Sequence, residues 1–134
     1  HPMTSIASDG PMTVFGVGSP HPRTYGTFAR VLGSYVRERN ILSLEEAVRK
    51  MTSLPAQILS IKQRGLIKEG YYADIAIFDP KTILDKATFE DPHQYAVGVI
   101  SVIVNGEIVI DQGVHNGNKP GRVLRGPGYN GSNN

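Results

Sequence analysis

The 134-residue sequence contains no cysteine, which excludes disulfides and thiol chemistry and leaves the redox compartment open. No apolar run approaches the ~20 residues of a membrane span, and the first residues lack the charged-then-apolar plan of a signal peptide. Charge of one sign is scarce: 14 Lys and Arg stand against 12 Asp and Glu. Without basic residues interleaved with aromatics there is no footprint for nucleic acid. The glycines form no phosphate loop, which argues against a nucleotide site. His21, His93 and His115 are scattered, with no His-x-His or His-x-x-x-His spacing, so the sequence holds no self-sufficient zinc site. The expected partners therefore include neither nucleic acid nor membrane, and the expected compartment is the cytoplasm.

What is present is the composition of an ordinary globular domain, 40% apolar and 19% charged. That length allows one core but not a large multi-layer enzyme. The chain opens on His1-Pro2 and not on Met, which fits a trimmed start or a piece of something longer. The stretch "MTSIASDGPM", residues 3 to 12, reads as a short buried β-strand over residues 4 to 7 that stops at Asp9-Gly10. A carboxylate just past a buried strand is where α/β enzymes keep catalytic acids. Asp-Gly is equally a common turn pair.

Residues 10 to 23 are rich in Gly and Pro without helical period and read as a long loop, a length often tied to function. Phe28, Val31, Leu32, Tyr35 and Val36 then fall at helical spacing, predicting an amphipathic helix that ends near Asn40. Ser43 and Glu46 have capping-box spacing, ahead of a face made by Leu44, Ala47, Val48 and Met51. Pro55 begins a new turn or short helix. From Gly65 the pattern turns to strands. Residues 73 to 78 form a β-rich run stopped by Asp79-Pro80, and "VISVIVNGEIVIDQG" predicts a hairpin turning at Asn105-Gly106. A strand with apolar residues on both faces wants parallel neighbours and helices around it. Too few are available here, so the reading is an incomplete fold whose missing layers come from elsewhere.

The residues carry a resemblance. "HPRTYGTFARVLGSYVRE" (21–38), "DPHQYAVGV" (91–99) and "PGRVLRG" (120–126) resemble the C-terminal part of N-acyl-D-amino-acid deacylases, the D-aminoacylase branch of the amidohydrolases. "SLEEAVRKMTSLPAQIL" and "GLIKEGYYADIAIFD" are similar to amidohydrolases more widely. The resemblance implies an α/β fragment: the last βα unit of a metal-dependent TIM barrel plus the C-terminal half of a small β-sandwich, incomplete on its own. Residues 1–62 would hold the last barrel strand, active-site loop and following helices. Residues 63–126 would be the sandwich segment, and 127–134 a mobile tail.

For the parent enzyme the resemblance implies zinc-dependent hydrolysis of N-acyl-D-amino acids, with this chain alone inactive and binding zinc poorly. Asp9 would sit beside zinc, as a weak ligand or as a neighbour that does not bind the metal itself, the other ligands being absent from this chain. It would take a proton from the metal-bound water and pass it to the leaving nitrogen. Arg23 would grip the substrate α-carboxylate with its planar fork. The loop before His21 departs from the family pattern, being longer and lacking the usual His and acidic residues. His21 and His93 are expected to be hydrogen-bonded loop residues, and Tyr71, Tyr72 and Tyr95 to pack at the sandwich edge. The implied partners are the substrate and the remainder of the barrel or another chain. Two other readings stay open: a non-catalytic assembly module that docks by its exposed sheet edges, and an amidohydrolase of cyclic amides.

Overall fold

The computed structural model describes residues 1–130. Helix α1, Arg23–Arg30, runs directly into a π-helical stretch over Val31–Glu38. Asn40 ends it in the left-handed region at φ 51°, and the Ile41 N–H closes back onto the Tyr35 carbonyl at 2.9 Å. Helix α2, Leu44–Met51, starts where the sequence places it: the Glu46 N–H donates to the Ser43 hydroxyl at 3.2 Å. Only half of the capping box forms, because the Glu46 carboxylate turns to Arg49 (2.7 Å) and Lys50 (3.5 Å). Helix α3, Ser53–Ile58, carries Pro55 in its first turn, where its missing N–H leaves no gap.

Four antiparallel strands follow as a meander in the order β1 (Ile75–Phe78), β2 (Val99–Val104), β3 (Glu107–Asp111) and β4 (Val114–His115). Asn105 and Gly106 both take positive φ, 49° and 85°, the type I′ geometry that matches the twist of the flanking strands. Gln112 and Gly113 repeat it at 47° and 78° and add β4, an element the sequence reading does not separate from the hairpin. Between β1 and β2 the chain makes a long excursion over residues 79–98, pinned by a bridge between Leu84 and Val97.

The expected strand over residues 4–7 does not form. A strand needs a ladder, and no strand among the described residues lies beside these residues. They run instead along α2, where the Ile6 N–H donates to the Lys50 carbonyl at 3.1 Å. The Lys50 ammonium binds the His1 and Thr4 carbonyls, and Arg49 binds that of Pro2. Thr4 and Ala7 are exposed, so the burial expected of this segment is not met either. The predicted mobile tail falls partly on residues 131–134, which lie outside the described residues.

One small core joins helices to sheet. Ala29, Val31, Leu32, Ala47 and Ile83 are buried together, with Phe78 and Val99 packed against them. Ile83 is the hub: Gly33 lets its carbonyl approach the helix, and the Arg37 guanidinium donates to the same carbonyl at 2.7 Å. Much apolar surface stays uncovered, with Met12, Ile67 and Val123 at least three-quarters exposed. The chain exposes 9449 Å², against roughly 6,900 Å² for a compact monomer of this mass. No described helix is long and apolar enough to cross a membrane.

Glu46 supplies a pH test of this packing. The hydrogen bond from Arg49, with lesser help from Lys50, holds its carboxyl down to about 2. A carboxyl whose folded value lies below its unfolded one contributes stability above the unfolded value, and that contribution is lost as pH falls through the folded one. Between about pH 4.5 and 2, the melting temperature of the native chain is expected to fall more steeply than that of Glu46→Gln. Parallel curves would assign the acid sensitivity to other carboxylates.

Candidate active site

The local sequence Ser8-Asp9-Gly10 builds one side of the site. Asp9 sits at φ 50°, a left-handed conformation that Asp tolerates better than most residues. The Ser8 hydroxyl accepts from the Gly10 N–H and donates to the Arg23 carbonyl, both at 3.2 Å. A Cβ on Gly10 would lie 2.8 Å from the Thr24 Cα, so only glycine lets this turn ride on the start of α1.

The other side is the N-terminus of α1. His21 does not face solvent idly: its Nδ1 accepts from the Arg23 N–H at 3.0 Å and caps the first turn. Thr27 adds a hydroxyl bond to the Arg23 carbonyl at 2.9 Å. With its backbone fixed in this way, Arg23 extends its guanidinium to Asp9, Nη2 to Oδ2, at 2.9 Å. The two residues singled out by sequence, fourteen positions apart, therefore meet in one ion pair. Asp9 is largely open to solvent and Arg23 about half so, which leaves both accessible to a ligand. One fork of a guanidinium with five donors is committed and the rest remain available.

Arg23 and His21 also line a cleft of about 650 Å³ between α1 and residues 85–90. In its lining Arg30 pairs with Asp85 at 2.8 Å, and the hydrogen bond and charge of Asp85 raise the guanidinium further above its ordinary value.

His93 is tied to the loop that follows Asp9, where it bonds Gly16 and Gly18, and to Tyr25 on α1. His115, on β4, accepts from the Gly117 N–H at 2.9 Å and takes no part in the site. Tyr72 lies under the Arg64 guanidinium at 4.3 Å, and Tyr71 near Lys68. Arg64 also pairs with Asp74 and Asn105, which anchors the β2–β3 turn. Tyr95 stacks on Phe15 at 4.9 Å, a contact with the loop that sequence reasoning does not reach. Ser8, Tyr25 and Phe15 are the members of the site region that it misses. The hydroxyl inside "SDG" was the one local signal available.

The donor set tests whether a metal fits. Among the described residues no three His, Cys, Asp or Glu side chains come together to hold a metal ion. Asp9 is a lone carboxylate whose near neighbour is a cation, so these residues do not by themselves fit zinc.

Comparison with known proteins gives the chain a family. The profile described as "Amidohydrolase family" matches residues 2–110. The N-acyl-D-aspartate deacylase of Alcaligenes xylosoxydans xylosoxydans is 45% identical over 92% of this chain and 24% of its own length. The D-aminoacylase of the same organism is 49% identical over 78% of the chain and 22% of its own. A crystal structure of D-aminoacylase superposes with a TM-score of 0.84 at 48% identity, covering 90% of this chain and 25% of that one. The N-acyl-D-glutamate deacylase of Bordetella bronchiseptica, solved with zinc and a phosphonate mimic of the tetrahedral intermediate, superposes at 0.83 with 44% identity. It covers 93% of this chain and 26% of that one. The chain thus spans about a quarter of the length of the relatives it matches.

Proposed function

The chain belongs to the amidohydrolase family, and from that premise we propose that it supplies one quarter of a zinc-dependent enzyme hydrolysing N-acyl-D-amino acids. In this reading residues 1–62 are the last barrel strand, active-site loop and following helices, and residues 63–126 the C-terminal part of a small β-sandwich. The remainder of the barrel covers the apolar surface left open and pairs with the extended residues 4–7. The zinc belongs with donors other than those of this chain. Asp9 stands beside it at most.

The observation that carries the reading is the 2.9 Å pairing of Asp9 with Arg23. In an N-acyl amino acid a single carbon separates the α-carboxylate from the amide nitrogen. A cation for the first and a proton carrier for the second must therefore stand side by side. Arg23 binds the α-carboxylate through its free donors. Asp9, as the carboxylate, takes a proton from the attacking water as its oxygen bonds to the acyl carbon. It returns that proton to the nitrogen as the carbon–nitrogen bond breaks. The products are a carboxylate and a D-amino acid.

The cyclic-amide reading has support in likenesses to dihydroorotases, of which that of Endomicrobium trichonymphae is 37% identical over 54% of the chain. The deacylase likeness is both stronger and longer, and it covers the "HPR" and "DPHQY" segments, so linear amides are favoured. A substrate screen separates the two, using this chain joined to the remaining part of the D-aminoacylase it resembles. Turnover of N-acetyl-D-amino acids is expected and that of dihydroorotate is not; the reverse preference would overturn the assignment. In the same joined enzyme Arg23→Lys keeps the charge but loses the fork. It is expected to raise KM about 10- to 100-fold with a smaller change in kcat. An unchanged KM would remove Arg23 from carboxylate binding.

A further inference from the structure

The excursion over residues 79–98 places His93 against the loop that joins Asp9 to Arg23. Its ring nitrogens have fixed roles. Nε2 lies 2.9 Å from the Gly18 carbonyl, which can only accept, so Nε2 carries the proton. Nδ1 is then bare, and its one lone pair is shared between the Gly16 N–H at 3.1 Å and the Tyr25 hydroxyl at 3.0 Å. Tyr25 is two residues beyond Arg23 on α1. A single imidazole therefore grips the middle of the loop and the first turn of the helix at once. Aromatic packing closes the clasp. Phe15, from the loop, stacks on Tyr95 at 4.9 Å and meets the His93 and Tyr25 rings edge-on at 5.6 and 6.0 Å.

Thirteen Gly- and Pro-rich residues, 10 to 22, separate the two members of the candidate pair. With its ends alone held, by Ser8 and His21, such a loop keeps wide freedom between them. We propose that His93 is a positioning residue for the Asp9–Arg23 pair, acting as a neutral Nε2–H imidazole that clasps the intervening loop onto the first turn of α1. The proposal deepens the deacylase reading and rests on it for the role of the pair. The clasp itself is a statement about hydrogen bonds.

The tests use the 134-residue chain and no turnover, so failure of the clasp and failure of the chemistry remain distinguishable. In the unsubstituted chain, 15N spectra of the His93 ring are expected to show a protonated Nε2 and a bare Nδ1. The opposite tautomer would overturn the proposal. His93→Phe keeps the ring packing and removes the three polar contacts. It is expected to speed hydrogen exchange at the Gly16 amide about fivefold or more and to shift the Arg23 Nε–H resonance, leaving the β2–β3 hairpin amides unchanged. His93→Asn, whose carbonyl can stand in for Nδ1, is expected to restore most of the Gly16 protection. Unchanged Gly16 exchange, an equal rise at the hairpin amides, or an unmoved Arg23 resonance would each overturn it.

Discussion

Replacing Asp9 with Asn is expected to lower kcat for N-acetyl-D-amino acids by on the order of 10²–10⁴-fold in the enzyme formed by joining this chain to the remaining part of a D-aminoacylase. The substitution is nearly isosteric and leaves the turn intact, since the Ser8 hydroxyl holds it through bonds to the Gly10 N–H and the Arg23 carbonyl that do not involve the carboxylate. What is lost is the ability to take a proton and return it. KM is expected to change little, because the amide keeps the carboxylate's shape and leaves the Arg23 guanidinium free to bind the substrate. A variant with a raised KM and near-normal kcat would make Asp9 a binding group and not a proton carrier.

The second large effect is on the fold. Gly98→Ala is expected to destabilise the chain by roughly 3–5 kcal/mol, within the range of severe core substitutions. Gly98 stands at φ 83°, and a Cβ there would lie 2.5 Å from both the backbone nitrogen and the Cα of Ile83. Neither contact can be relieved by rotating a side chain. Either the excursion over residues 79–97 lifts from β2, or Ile83 leaves the small core. Thermal unfolding is expected to fall by roughly ten degrees or more. Gly106→Ala is the matched control: its φ is 85° but nothing lies within 4 Å, so only the backbone penalty of about 1 kcal/mol is expected. Equal effects at both positions would mean that the close approach to Ile83 carries no weight. Because the same excursion bears His93, Gly98→Ala is also expected to loosen the loop beside Asp9.

These two residues mark how far the sequence could be read. The β2–β3 hairpin was legible because its cause is local: Asn105 and Gly106 adopt their φ values whatever surrounds them. The helix ending near Asn40 and the cap at Ser43 were legible for the same reason, although the loop read over residues 10 to 23 gives up Arg23 to the first turn of α1. The residues before Asp9 were not, because strand formation depends on a neighbour. Apolar and β-prone residues without a ladder lie along α2 as extended chain. The pairing of Asp9 with Arg23 was not legible: the resemblance implies a separate role for each, and their contact depends on Ser8 and on a glycine at position 10 that looks like ordinary turn chemistry. The His93 clasp was invisible to local pattern, since Gly16 and His93 are 77 positions apart and no periodicity links a loop to a distant histidine. Local rules thus captured the elements, while the site needed contacts made at long range.

In the proposed enzyme this chain contributes the proton-carrying and carboxylate-binding residues, and the metal donors lie in other residues. The most direct measurement is hydrolysis of N-acetyl-D-amino acids and of their L-enantiomers in the presence of zinc, by the isolated chain and by the joined enzyme. The predicted result is no turnover by the isolated chain and D-selective turnover by the joined enzyme. Turnover by the isolated chain, or a folded, zinc-loaded joined enzyme that hydrolyses neither enantiomer, would contradict it.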